Sequence, residues 1–167
     1  TNNMKVKFCG AARTVTGSSH LITTDDGVKI LLDCGLYQGN DPDFDDFNQE
    51  WVFNPEDIDV LVLSHSHIDH AGRIPKLVKD GFKGDIVCTS ATRDLAAIML
   101  LDSGFIQEKD NEWINKKRAR RDLSPVAPLY TVANATKAME QFVGISYGRW
   151  FKIARNVEVQ FNDAGHI

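Results

Sequence analysis

The chain has 167 residues, 43% hydrophobic and 25% charged, with a formal net charge of −4 and a pI near 5.7. That is length for one domain with a real core, a folded rather than a disordered composition, and a charge that argues against a nonspecific grip on nucleic acid, which relies on Lys and Arg neutralising phosphates. The longest apolar stretch, Leu95 to Leu101, falls far short of a membrane span, and the N-terminus lacks a signal-peptide core, so the default reading is a cytoplasmic protein with no membrane partner.

Thr1-Asn2-Asn3 precede Met4 and are left out of the fold argument. Met4 to Cys9, Ser19 to Thr24 and Val28 to Asp33 read as short strands, with Asp26-Gly27 as the hairpin turn between the second and third. Asp41 to Pro55 reads as a polar loop bearing phenylalanines, and Ile58 to Ser64 as an apolar strand buried on both faces. A helix is expected from His70 to about Lys79, ended by Gly81, followed by a strand over Asp85 to Thr89. This β-α-β crossover implies a parallel pair with helices covering the sheet. Ser90 or Thr92 caps the next helix, whose Leu95, Ile98, Met99, Leu101 and Phe105 recur at helical spacing to about Lys109, and helix resumes through the basic run to Asp122. After a break at Ser124 to Pro128, Asn134 to Phe142 reads as helix, and Ile145 to Ile153 and Val157 to Phe161 as strands. Cys9, Cys34 and Cys88 are odd in number and without CxxC spacing, so they read as small buried hydrophobes rather than disulfides or thiolate ligands.

The chemistry is concentrated in His65-Ser66-His67-Ile68-Asp69-His70, directly after the apolar run Val60 to Leu63; three of the five histidines fall here. A strand would point His65 and His67 to one side, and breaking it after them turns Asp69 and His70 onto a neighbouring position. Imidazoles mixed with a carboxylate, with no thiolate nearby, favour a hydrolytic zinc site over a Cys-rich structural one. A hydrolytic zinc takes about three protein ligands and keeps a place for water, so the two pairs look like parts of two sets, each needing ligands from elsewhere. The plain alternative is a His-rich surface loop.

Ser64 to Gly72 resembles the signature of the metallo-β-lactamase superfamily, His-x-His-x-Asp-His after a strand. Ala12 to Ser18, Leu31 to Gly39 and Asp163 to Ile167 are similar to its β-CASP branch of RNA- and DNA-processing nucleases, closest to the RNA-cleaving group related to the cleavage subunit of the mRNA 3′-end processing machinery. The resemblance runs from about Lys5 to Ile167. It implies the N-terminal half of an αββα sandwich of α/β class, and phosphodiester hydrolysis of RNA, with DNA a less expected substrate. It further implies two Zn²⁺ ions that hold a bridging hydroxide. His65, His67 and His166 would hold the first zinc and Asp69 and His70 the second. Asp69 would also orient or deprotonate the nucleophilic water, and Asp33 would accept the spare N–H of a ligating histidine.

Family members continue past the point where this sequence stops, with a bridging aspartate, the β-CASP insert and further histidines. The chain therefore reads as the first part of a longer enzyme, expected to be inert by itself and to associate with the remainder of its own chain or with a second copy. The alternatives are another hydrolase of this fold acting on a thioester, a lactam or a small phosphodiester, or an inactive scaffold. Lys116 to Arg121 is strongly basic and fits either a phosphate backbone or a solvated helix face. His20 reads as structural, and Trp51, Trp113 and Trp150 as core or interface residues before base-stacking ones.

Overall fold

The computed structural model describes residues 3–166. Its centre is a six-stranded sheet of order β1-β2-β3-β4-β5-β6, comprising Lys5–Phe8, His20–Thr23, Lys29–Leu32, Val60–Val62, Asp85–Thr89 and Phe142–Ile145. The first three strands form the antiparallel meander that the sequence predicts, and Thr24 and Gly27 close the turn between β2 and β3, with Gly27 at φ +84°. From β3 onward every pairing is parallel. The carboxyl ends of four strands therefore share one edge, where an open α/β sheet builds its sites.

Alternation along the strands sorts the core into two layers. Leu21, Leu31, Leu61, Leu63, Ile86, Cys88 and Phe142 face the helices. Ile30, Val60, Val62 and Val87 face the other way, against Ile153, Val157, Val159 and Phe161 of a hairpin formed by β7, Phe151–Ala154, and β8, Val157–Val159. One face is thus covered by helices and the other by this hairpin.

Several expected boundaries move. The loop after Gly39 contains a short helix, α1, Phe44–Gln49, and the predicted strand from Ile58 to Ser64 shrinks to β4, preceded by a 3₁₀ turn at Pro55–Asp57 whose C-cap is Ile58. The helix expected from His70 to Lys79 is two pieces, α2, Ile68–Ala71, and α3, Ile74–Lys79, separated at Gly72-Arg73. The two helices expected after β5 are one, α4, Ser90–Ala119, capped by the Thr89 hydroxyl, which accepts from the Thr92 N–H, and ended by Asp122 in a left-handed conformation at φ +52°. The expected helix over Asn134 to Phe142 begins and ends earlier, as α5, Val132–Met139, under a capping box from Thr131 and Asn134. Ile145 to Ile153 is not one strand: it holds the end of β6, a turn around Tyr147-Gly148, and the start of β7.

The α4 face also differs from expectation. Leu95, Ile98 and Phe105 are exposed, while Thr92, Ala96, Leu100 and Gly104 are buried. Ala96 and Gly104 on either side of Leu100 let the helix lie close to its neighbours, and a Cβ at Gly104 would come 2.9 Å from the Val132 amide nitrogen. Helical spacing alone does not say which of two neighbouring stripes turns inward.

Cys34 and Cys88 are buried and Cys9 is half-buried, all as free thiols. Burial pushes the thiols of Cys34 and Cys88 up to about 12. Near pH 8 the folded protein should therefore leave Cys34 and Cys88 unmodified by a thiol reagent while Cys9 reacts first, and denaturant should release all three. Mass spectrometry of timed alkylation reads this directly; early labelling of Cys34 would contradict the burial.

Candidate metal centre

The motif loop is fixed by backbone bonds to the segment that leaves β3. The Cys34 N–H donates to the His70 carbonyl at 2.8 Å, Leu36 N–H to Ile68 at 3.0 Å, Arg73 N–H to Cys34 at 2.9 Å, and Ser18 N–H to the Asp69 carbonyl at 2.8 Å. This stitching requires backbone contact without side chains between. A Cβ on Gly35 would lie 1.7 Å from the Asp69 carbonyl oxygen, and one on Gly72 would lie 2.6 Å from Leu36 Cβ.

Strand alternation is not what aligns His65 with His67, because β4 ends at Val62 and His67 is the N-cap of α2. The loop geometry brings them together instead. His65 Nε2 and His67 Nδ1 are 3.1 Å apart, and the ring of His166 stands 4.8 Å from that of His65 and 5.0 Å from that of His67. One nitrogen from each of the three residues falls within 4.8 Å of the others. His166 arrives from the other layer: the chain leaves β8, turns at Asp163, whose Oδ1 accepts the Gly165 N–H at 2.8 Å, and sets the imidazole over the loop.

The second pair lies alongside. His70 packs its ring 4.1 Å from that of His65, and its Nε2 is 3.6 Å from Asp69 Oδ2. Its other nitrogen, Nδ1, donates to Asp33 Oδ2 at 2.7 Å. Asp33 is buried, in a left-handed conformation at φ +61° just beyond β3, and also accepts the Ser64 N–H at 2.8 Å, the Ser64 hydroxyl at 2.9 Å and the Ser18 hydroxyl at 3.3 Å. Pinning Nδ1–H in this way leaves the Nε2 lone pair of His70 free for a ligand.

The electrostatics differ within the group. Burial, reinforced by the neighbouring His70 and His67, holds the His65 imidazole below its ordinary value, which favours the neutral form that metal binding requires. The hydrogen bond to Asp33 raises His70 above its ordinary value against an opposing effect of burial.

Three imidazole nitrogens converge with no carboxylate between them, and protonating all three would set like charges side by side. A tetrahedral ion at ~2.05 Å from its nitrogens spaces them by roughly 3.4 Å, close to the 3.1 Å between His65 and His67. The donor set fits Zn²⁺.

Ser18 and Ser64 were not singled out from the sequence, although Ser64 directly precedes His65; they secure Asp33. Arg73 was missed as well. It is buried, donates Nε–H to the Gly35 carbonyl at 2.8 Å and Nη1–H to the Phe47 carbonyl at 2.7 Å, and stacks 4.7 Å from the Trp51 ring, so it ties α1 to the motif loop. His20 stands apart from the cluster, against Phe8 and the Ser19 carbonyl. Trp51 is half-buried and Trp113 and Trp150 are exposed, so the core or interface reading fits only the first within this chain.

A sheet with helices on one face and a His-x-His-x-Asp-His loop at the carboxyl ends of its parallel strands defines a metallohydrolase-type scaffold. The profile described as the metallo-beta-lactamase superfamily matches residues 12–126, and the chain belongs to that superfamily. Ribonuclease TTHA0252 of Thermus thermophilus is 30% identical over 164 residues, which take in 98% of this chain and 33% of the relative. Transcription termination factor FttA of a Lokiarchaeum species is 34% identical over 165 residues, 99% of this chain and 24% of the relative. The FttA of Methanocaldococcus jannaschii is 31% identical over 165 residues, with 98% and 24% coverage. The chain thus spans between a quarter and a third of the length of these curated relatives. His65, His67, Asp69 and His70 lie within the superfamily match, and His166 lies beyond it.

Two measurements follow. Gly35→Ala should cost about 1–3 kcal/mol in urea denaturation, because a methyl cannot share space with the Asp69 carbonyl; an unchanged midpoint would mean the two segments are not in contact. Asp33→Asn should lower zinc affinity about 10- to 100-fold, since the amide turns a fixed acceptor for His70 into a mixed donor and acceptor. Competition against a chromogenic chelator reads that change, and wild-type affinity in Asp33→Asn would remove Asp33 from the support of the site.

Proposed function

We propose that this chain carries the metal-binding part of a zinc-dependent nuclease that hydrolyses phosphodiester bonds in RNA. The convergence of His65, His67 and His166 beside the Asp69–His70 pair is the observation that carries the reading. The names of the relatives, a ribonuclease and transcription termination factors, support RNA over other substrates of the superfamily.

His65, His67 and His166 would hold one Zn²⁺, and Asp69 and His70 a second. Zinc there supplies Lewis acidity, lowering the pKa of water toward neutrality and offsetting charge that builds on phosphoryl oxygens. The side chains of this protein provide the rest. Asp33 holds the His70 Nδ1 proton and so fixes the tautomer. Asp69 has one carboxylate oxygen 3.6 Å from His70 Nε2, and its carboxylate is part-exposed, so it can orient a water and take its proton. Ser64 keeps Asp33 in register with the loop. No serine or cysteine nucleophile is required.

The two groups of donors are unequal: three imidazoles serve one ion, while Asp69 and His70 give the other two ligands where about three are usual. Within this chain the second ion is held the more weakly, so hydrolysis is expected only with excess zinc or with a further ligand supplied from outside residues 3–166. We expect elemental analysis after dialysis to give close to one zinc per chain, and His166→Ala or His67→Ala to abolish that retention. Two zincs surviving dialysis would overturn the assignment of unequal sites.

The activity is tested with zinc in excess, against labelled single-stranded RNA, a nitrophenyl phosphodiester, a thioester and a β-lactam. RNA and the phosphodiester should be cleaved, and Asp69→Ala should slow cleavage by about 10²-fold or more with little change in Tm, because its side chain lies at a strand-end loop and not in the core. Turnover of the lactam or thioester alone would replace this reading with the alternative hydrolase.

A further inference from the structure

We propose that the last turns of α4 form a platform for single-stranded RNA away from the metal centre, with Trp113 as stacking surface and Lys116, Lys117, Arg120 and Arg121 as its cations. The identity of the strand rests on the RNA-hydrolase reading above; the surface itself does not.

From Trp113 to Arg121 the sequence carries Lys or Arg at 116, 117, 118, 120 and 121 and no acid, in a chain whose net charge is −4. Five cations elsewhere are paired, Lys29 with Asp57, Lys76 with Asp80, Arg93 with Asp94, Lys109 with Glu112 and Lys137 with Glu140, and the remaining unpaired ones are scattered along the chain with no second run of this density. None of the five in this run meets a carboxylate among the described residues. Arg118 has a separate task, donating its Nε–H to the Ser124 carbonyl at 2.6 Å to hold the following loop. Cations in a final helical turn are favoured by the helix dipole, which accounts for one or two of them and not for the whole run.

Trp113 is the second observation. Its indole is 58% exposed on the same stretch of helix, with the Lys117 ammonium 3.3 Å from the ring centroid. The cation–π contact with Lys117 contributes about 0.5–1 kcal/mol at an exposed site, yet more than half of Trp113 stays in solvent. An exposed ring flanked by unpaired cations suits a strand that stacks a base and neutralises phosphates at once, without sequence preference.

A groove of about 780 Å³ runs beside α4, lined by Leu36 and Ile68, the latter between His67 and Asp69, and by Asn111, Ile114 and Val126; Trp113 and the cations of the platform stand outside its lining. The groove is mainly apolar and includes Asp45 and Asp102, so the positive charge that fits a polyanion lies at the helix tip and not along the floor. Met99 also lines the groove, and from Met99 to Lys117 the helix rises roughly 27 Å, which is about eight nucleotides of stacked strand.

The test uses the chain with His67→Ala, so that bound RNA is not cut, and fluorescein-labelled polyuridine RNA of about 20 nucleotides, longer than most single-domain footprints. Anisotropy titrations across salt concentrations give the slope of log affinity. Replacing Lys116, Arg120 and Arg121 with Gln should reduce the slope by about 2, at roughly 0.7 for each phosphate no longer neutralised. A control with the same charge change, Lys5, Lys83 and Lys152→Gln, should leave it unaltered. Trp113→Ala should weaken binding about tenfold, and Trp113→Phe should recover most of it.

Equal slopes in the two triple variants, no binding at all, or displacement by polyglutamate as effective as by unlabelled RNA would overturn the platform, the last in favour of a surface for an acidic protein. Cleavage by zinc-loaded wild type is scored separately. Turnover with unaltered slopes rejects the platform alone, and tip-dependent binding without turnover rejects the hydrolase reading alone.

Discussion

The Asp33 carboxylate is the constraint on which the site depends. It is buried at the end of β3 and takes hydrogen bonds from Ser18, from both the backbone and the hydroxyl of Ser64, and from His70. A buried carboxylate is tolerable only when its lone pairs are occupied, and here the donors come from three separate segments of chain. Satisfying Asp33 therefore fixes the distance between the β3 end, the β4 end and the turn that carries His70. Removing any one donor loosens the others.

Backbone contact completes what Asp33 begins. Gly35 lies against the Asp69 carbonyl, main chain on main chain, and Gly72 leaves room for Leu36 of the segment after β3, so the two loops meet at close range. Arg73 extends this rigidity outward to α1 by donating to the Gly35 and Phe47 carbonyls. The result is a ligand loop held in place before any ion binds, on a parallel sheet whose two faces are filled by different elements. Preorganisation of this kind keeps the reorganisation cost of binding low.

His166 is attached differently. It is exposed, and it reaches the cluster only because the β7–β8 hairpin packs on the face of the sheet opposite the helices. The three-imidazole set thus joins the two layers of the molecule, and an ion at that point would link them. The charged surface is also divided: α1 and the loop before it are acidic, while the end of α4 is basic, so a net charge of −4 conceals two opposed regions.

The sequence by itself determined the local features. The His65–His70 run, the Asp26-Gly27 turn and the apolar β4 and β5 segments announce themselves, because ligand type, turn chemistry and strand hydrophobicity are properties of neighbouring residues. Asp33 could be noticed as a carboxylate ending a strand, yet its four hydrogen bonds link residues up to 37 positions apart, and only the folded chain brings them together. The same holds for α4, where the fold turned Thr92, Ala96, Leu100 and Gly104 inward and left Leu95, Ile98 and Phe105 exposed, since close approach to the start of α5 requires Gly104. The approach of His166 to His65 and His67 was decided last. The family resemblance of Asp163 to Ile167 named His166 as the third imidazole, but nothing in the physics of Asp163-Ala164-Gly165-His166 specifies a partner 99 residues away; the packing of the β7–β8 hairpin on the sheet does.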